Sequence, residues 1–257
     1  MATRITFLGT AGENAVASRY DRNSGGIIIE VDDRFFFLDP GPGALVQAGK
    51  LKFNLREFMA IVLSSPRLEQ SNDINAIIDA MTAKGLDKHG VLLCNTGEKE
   101  MPLLEKYKQW VERIIHLEPG KKIAIEDIDM VALPAKESNA QGISFFTKDG
   151  VITYTSNTSY DEAIVEHYKG SHVLILNVFH PRGITESGFL NTDNAIAIVK
   201  VVKPKVALIT HFGIKMIKAE PLYEAREIQR QTGVQVIAAK ECLTLSLTPF
   251  ASDIIVR

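Results

Sequence analysis

Cysteine is scarce in this chain of 257 residues: there are two, Cys94 and Cys242. Both fall in apolar runs, which reads as buried free thiols rather than a disulfide framework and suits a reducing cytoplasm. Long apolar runs are also missing. None approaches the roughly 18 residues that a membrane-spanning helix needs. The opening Met1-Ala2-Thr3-Arg4 passes straight into a strand pattern, without the apolar stretch of a secretory signal. Charge of one sign is lacking too: 29 Lys and Arg against 31 Asp and Glu leave a net charge of −2. That balance offers no electrostatic footprint for nucleic acid. There is no G-x-S-x-G elbow, so a serine hydrolase has no support. The turn Gly9–Gly12 lacks both a G-x-G-x-x-G pattern and a P-loop lysine, so a phosphate cradle has none either. The histidines are few and dispersed. His89, His116, His167, His172 and His180 sit at loop or strand ends without the paired spacing of a metal motif.

What is present is the material of a globular core, with 46% hydrophobic and 23% charged residues. No Pro/Ser-rich linker or charge block divides the chain, so residues 1–257 are expected to form a single domain. Short strands are predicted at Ile5–Gly9, Gly26–Val31 and Arg34–Asp39, the last two joined by an Asp32-Asp33 hairpin. Ala60–Leu63 reads as a central strand, and a polar turn, Ser64–Gln70, follows it. Apolar residues at 74, 77, 78 and 81 then mark one face of a helix near 72–84. Further strands are predicted at Val91–Cys94, Val111–His116, Lys122–Ile125, Met130–Pro134, Gly142–Thr147 and Val151–Ser156. The final third changes rhythm. His172–Val178 is a nearly continuous apolar run, the mark of a strand covered on both faces. Thr192–Val202 and Pro221–Thr232 read as helices; Val206–Thr210, Val234–Ala238 and Cys242–Leu247 read as strands. Two sheets face to face with helices outside, a four-layer α/β/β/α sandwich, fit this order.

Several landmarks carry a resemblance. The start, Ile5–Gly12, ends in a Gly-containing turn; Asn23-Ser24-Gly25-Gly26-Ile27 leads into the second strand. Asp39-Pro40-Gly41 follows the third, and the strand at Val206–Thr210 runs into His211-Phe212-Gly213. In order and spacing these resemble the metallo-β-lactamase superfamily, nearest the branch of ribonuclease Z and small phosphodiesterases. The resemblance implies a four-layer metallo-β-lactamase-like sandwich. It also implies a site where two divalent metals, held by histidines and carboxylates, activate a bridging water.

The residues at the ligand positions do not follow that pattern. The H-x-H-x-D-H motif is matched here by Ser65, Arg67, Glu69 and Gln70. The next histidine position falls in Pro134–Ser138, aligned on Glu137 with positions 135–137 open. The bridging aspartate is matched by Asn157, and the histidine expected near residues 188–192 by Phe189. Only His211 remains as an imidazole. An amide cannot carry the bridging charge, and Arg67 adds a permanent cation where dications belong. The expectation is therefore a pseudoenzyme with no catalytic residue and no cofactor. Its degenerate, metal-free site would comprise Asp39, Ser65, Arg67, Glu69, Gln70, Glu137, Asn157 and His211. Its role would be binding, scaffolding or regulation, in a cytoplasmic homodimer without membrane attachment. Arg67 is expected to neutralise buried carboxylates as an internal counter-ion. The alternative is a divergent ester hydrolase with one divalent metal such as zinc on Glu69, Glu137 and His211. His180 is a further candidate for the cleft, together with Arg182; Lys215 and Lys218 are expected to be solvated.

Overall fold

The structure is a computed structural model that describes residues 2–20, 22–95, 102–137, 139–247 and the backbone of 255–256. Met1 and Ser138, named above, lie outside the described residues.

The chain lays down β1 (Thr3–Phe7), α1 (Asn14–Arg19), β2 (Ile27–Val31), β3 (Arg34–Leu38) and α2 (Ala44–Lys50). Next come β4 (Phe58–Leu63), α3 (Leu68–Ser71), α4 (Ile74–Met81), β5 (Val91–Cys94), α5 (Glu105–Lys108) and β6 (Arg113–His116). The second half opens with β7 (Lys122–Ile125), β8 (Ile128–Leu133), β9 (Gly142–Thr147), β10 (Gly150–Tyr154) and α6 (Glu162–Glu166). It continues through β11 (Val173–His180), β12 (Leu190–Asn191), α7 (Thr192–Val202), β13 (Val206–Thr210), α8 (Ile214–Lys218), α9 (Pro221–Thr232) and β14 (Gln235–Ala238). β15 (Thr244–Leu247) and β16 (Ile255–Val256) return to the first sheet, whose order is β16-β15-β1-β2-β3-β4-β5-β6. The second sheet runs β14-β13-β11-β10-β9-β8-β7, with β12 paired to β11.

Side-chain alternation explains the layers. Ile5, Phe7, Phe36, Leu38, Ala60 and Val62 turn inward against Phe145, Ile152, Ile175 and Leu208 of the other sheet. Their neighbours Phe37, Ile61 and Leu63 turn outward, where Ile74, Ile77, Ile78 and Met81 of α4 cover them. On the far side Leu174, Leu176, Ala207 and Ile209 meet Ile198 and Val199 of α7 and Ile228 of α9. Both faces of the central parallel strands are thus covered, which is why they read as unbroken apolar runs. The result is the expected α/β/β/α sandwich.

Local differences have local causes. The helix expected near 72–84 is α4, which is shorter at Ile74–Met81, and the polar turn expected at 64–70 runs into the one-turn helix α3; between the two the Asp73 carboxylate accepts from the backbone N–H of Leu45. Cys94 is buried as expected, but Cys242 is exposed, because it precedes β15 in a turn at φ 64° rather than lying in the strand. Among the described residues, no helix is long and apolar enough to cross a membrane.

Register places the ends that matter on one rim. β3 and β4 run parallel, with Leu38 opposite Val62, so Asp39 and Ser64 emerge together. In the other sheet Tyr154 pairs with Ile175, and Asn177 pairs with Thr210, through parallel β10, β11 and β13. The carboxyl ends of strands from both sheets therefore converge, the usual place for a site in open α/β sheets.

Candidate functional site: a buried polar centre beneath a charged cleft

Asp39 is the hub. It is 3% exposed and accepts four hydrogen bonds: from the Ser64 backbone N–H (2.7 Å), Ser64 Oγ (2.6 Å), Gln70 Nε2 (2.9 Å) and Tyr154 OH (2.7 Å). Around it every donor has a consistent direction. Asn177 Nδ2 donates to Tyr154 OH (3.0 Å) and to Asn157 Oδ1 (2.9 Å). Asn157 Nδ2 donates to Gln70 Oε1 (2.8 Å), and Gln70 Nε2 donates on to Asp39. Ser156 Oγ lies 2.6 Å from Ser64 Oγ, across the two sheets. Hydroxyls and amides thus pass their protons toward a single acceptor-only carboxylate.

Burial pushes the Asp39 pKa up, against the pull of Ser64, Tyr154 and Gln70. Burial, then the neighbouring Asp39 charge, holds the Tyr154 phenol well above its ordinary value, so it stays a donor. His211 ends β13 at 6% exposure, and its Nε2 has no hydrogen-bond partner. Burial first, and the Arg67 cation second, push its pKa down to about 3. The ring is therefore neutral at ordinary pH. Beside it lies a cavity of about 20 Å³ lined by residues including Asp39, Glu69, Tyr154, Asn177 and His211. That is room for about one water.

Backbone shape supports the centre. Asp39, Ser156 and His211 end three different strands in left-handed conformations, with φ of 48°, 58° and 63°. Close approach explains two of the glycines. A Cβ on Gly41 would lie 2.1 Å from the Glu69 carbonyl oxygen, and one on Gly12 would lie 2.3 Å from that of His211.

Not all of the expected site residues meet at this ring. Asp39, Gln70 and Asn157 are in it. Ser65 is buried beside it, accepting from the Arg67 backbone N–H at 3.3 Å. The half-buried Glu137 carboxylate packs against Gly188 instead. Among the described residues no three His, Cys, Asp or Glu side chains form a group able to hold a metal ion, so Glu69, Glu137 and His211 are not brought together as such a set. The counter-ion expectation for Arg67 needs correction. Its guanidinium is exposed and sits 4.8 Å from the centre of the Phe189 ring, while neutral donors satisfy Asp39. A buried carboxylate with four donors needs no cation.

Above the ring, Arg67, Phe179, His180, Glu186, Phe189 and Lys215 contribute to a cleft of about 430 Å³. Phe179 and Phe189 stack with centroids 4.2 Å apart. His180 faces this cleft as expected, but its Nε2 pairs with Glu186 at 2.8 Å. Arg182 instead binds Asp193 and Glu227 at the surface. Sequence reasoning missed Tyr154, Asn177, Phe179 and Glu186 as site residues. Asn177 left one signal: it is a lone amide inside the apolar run of β11.

The fold is that of known proteins. A metallo-β-lactamase fold protein, YhfI from Bacillus subtilis, superposes with a TM-score of 0.83 at 16% identity, over 96% of this chain and all (100%) of its own. A diphosphatase of the PhnP family gives 0.71 at 18% identity, over 96% of this chain and 97% of its own. The short form of human tRNase Z gives 0.71 at 13%, over 95% and 99%. This chain has the metallo-β-lactamase fold. In sequence it is 29% identical to an uncharacterized protein, MJ1374 of Methanocaldococcus jannaschii, over 96% of both chains. No protein-family model matches the chain.

Proposed function

We infer that this chain is a non-catalytic binding protein, a pseudoenzyme in which a hydrogen-bond ring of hydroxyls and amides around the Asp39 carboxylate stands where the fold's hydrolases hold metals. The observation that carries this reading is Asn157, whose amide is bonded on one side to Gln70 (2.8 Å) and on the other to Asn177 (2.9 Å). At the position of a bridging carboxylate, both polar atoms are already engaged by neutral partners. Gln70, at the last ligand position of the first motif, is likewise committed to Asn157 and Asp39. Metal ligation at these positions would break bonds that are buried from water, each costing about 1–3 kcal/mol when left unmade. The donor chemistry does not fit two dications, so no hydrolytic step is derived. What remains usable is the cleft above the ring.

A mononuclear hydrolase is the rival reading, favoured by the unpartnered His211 Nε2 beside a cavity that Asp39 and Glu69 also line. Elemental analysis of protein purified without chelators separates the two. The binding-protein reading expects far less than one equivalent of zinc, iron or manganese, and no metal-dependent turnover of a chromogenic phosphodiester. Near-stoichiometric metal with turnover that His211→Ala abolishes would overturn it.

A further inference from the structure

We propose that Arg67 and Lys215 form an oxyanion-binding site in the cleft above the polar ring, taking the carboxylate or phosphate group of a small ligand. The proposal rests on the non-catalytic reading and names what its cleft would bind.

Charge in the cleft is unevenly engaged. Arg67, Lys215, Glu13 and Glu186 all line the cleft, so its formal charge is balanced. The two acids, however, are already held. Glu13 Oε1 accepts from the Ile214 backbone N–H at 2.6 Å, and Glu186 Oε2 pairs with His180 Nε2 at 2.8 Å. Among the described residues, neither the Arg67 guanidinium nor the Lys215 ammonium has a hydrogen-bond or ion-pair partner. Two unpartnered cations thus face the cleft, while each acid keeps its charge but has one oxygen engaged by a donor of the protein itself.

The Arg67 guanidinium is also held in position. An exposed arginine on a polar turn ordinarily samples many rotamers and contributes little. Arg67 instead rests over Phe189, which stacks on Phe179, so an aromatic layer holds the guanidinium in place. Such a contact leaves the N–H edge free, and that edge matches two oxygens of a carboxylate or phosphate.

The cleft also carries an orphaned polar group. His180 is 3% exposed and lines the same cleft, and its Nδ1 is buried with no hydrogen-bond partner. Such a group marks a polar position that is incomplete in the protein alone. A cleft of about 430 Å³ accommodates a small organic acid or phosphate ester rather than a macromolecular surface.

Calorimetric titration of the full chain, stripped of metal with a chelator and then dialysed free of it into low salt, with inorganic phosphate in one arm and acetate in the other, tests this. Saturable binding of either probe is expected, weakened about tenfold or more in Arg67→Ala and less in Lys215→Ala. Arg67→Gln, closer in size, should lose binding as well, while Arg182→Ala, outside the cleft, should not. A preference for phosphate assigns a phosphate ester, and a preference for acetate assigns a carboxylate. Circular dichroism and the melting temperature verify that each variant is folded. Binding of neither probe, or undiminished binding by Arg67→Ala and Arg67→Gln, overturns the oxyanion site and leaves the metal-free reading standing. Binding that appears only after zinc is added to the metal-free chain overturns both.

Discussion

Changing Asn157 to aspartate replaces one NH₂ by one oxygen, keeps the shape and restores the carboxylate type that a metal-bridging position would carry. In this protein it should be harmful. Asn157 is 1% exposed, and its Nδ2 donates to Gln70 Oε1 across 2.8 Å. An aspartate would set two acceptors against each other at that distance. Rotating the Gln70 amide offers no escape, because its Nε2 already serves Asp39 (2.9 Å) and Ser64 Oγ (3.1 Å). The variant would also bury a second carboxylate near Asp39 with no cation in the ring. An uncompensated buried charge of this kind costs about 3–5 kcal/mol. For a chain of this size that is a fall in melting temperature of about 6–20 °C. The sign with pH follows from the same geometry. Once protonated, the introduced carboxyl can donate to Gln70 as the amide does, so its folded pKa is raised and the deficit grows as pH rises through that range. Urea unfolding of Asn157→Asp and the parent chain near pH 7.5 and near pH 5 measures it. A deficit below about 1 kcal/mol near pH 7.5, or one that is the same at both pH values, would refute the closed-ring argument.

Two other outcomes follow from the centre. His211 titrates near 6.5 when unfolded but at about 3 when folded, so the unfolded chain binds more protons between those values. Stability is then fully present above about pH 6.5 and falls by about 1.4 kcal/mol per pH unit below it. His211→Asn, compatible with φ 63°, should flatten that slope in acid unfolding curves; an unchanged slope would locate the titration elsewhere. Gly12→Ala should destabilise by about 2–3 kcal/mol in chemical denaturation, because its methyl would meet the His211 carbonyl oxygen at 2.3 Å. A fully stable alanine variant would contradict the packing between these two loops.

The sandwich was legible because its strands carry two-sided burial in their own composition. Ala60–Leu63 and Val173–Leu176 are apolar without alternation, and such strands need cover on both faces. Helices α1, α5 and α8 were not legible, because with four to six residues each they are too short to establish a 3.6-residue period. At the site, the types of residue were readable but their partners were not. Asp39 and Tyr154 are 115 positions apart, and nothing local in either segment signals the bond. Arg67 shows the same limit in another form. Its charge was evident, but whether it would meet a carboxylate or the Phe189 ring depended on how a distant loop folds back. Cys242 reads as strand because it and Leu243 lead directly into Thr244–Leu247, with no glycine or proline between them to mark where the turn ends.

The three left-handed strand ends differ in what holds them there. Asp39 and Ser156 spend their side chains on bonds that cross between the sheets, whereas His211 Nε2 touches no partner. A backbone of this kind disfavours ordinary L-residues by about 1–2 kcal/mol. Genetic drift should accordingly act unevenly on the three positions: substitutions at 39 and 156 unravel a shared ring, while glycine or asparagine at 211 relieves strain and forfeits no bond of that nitrogen. The last imidazole at the centre is thus the one that neutral evolution could most readily erase.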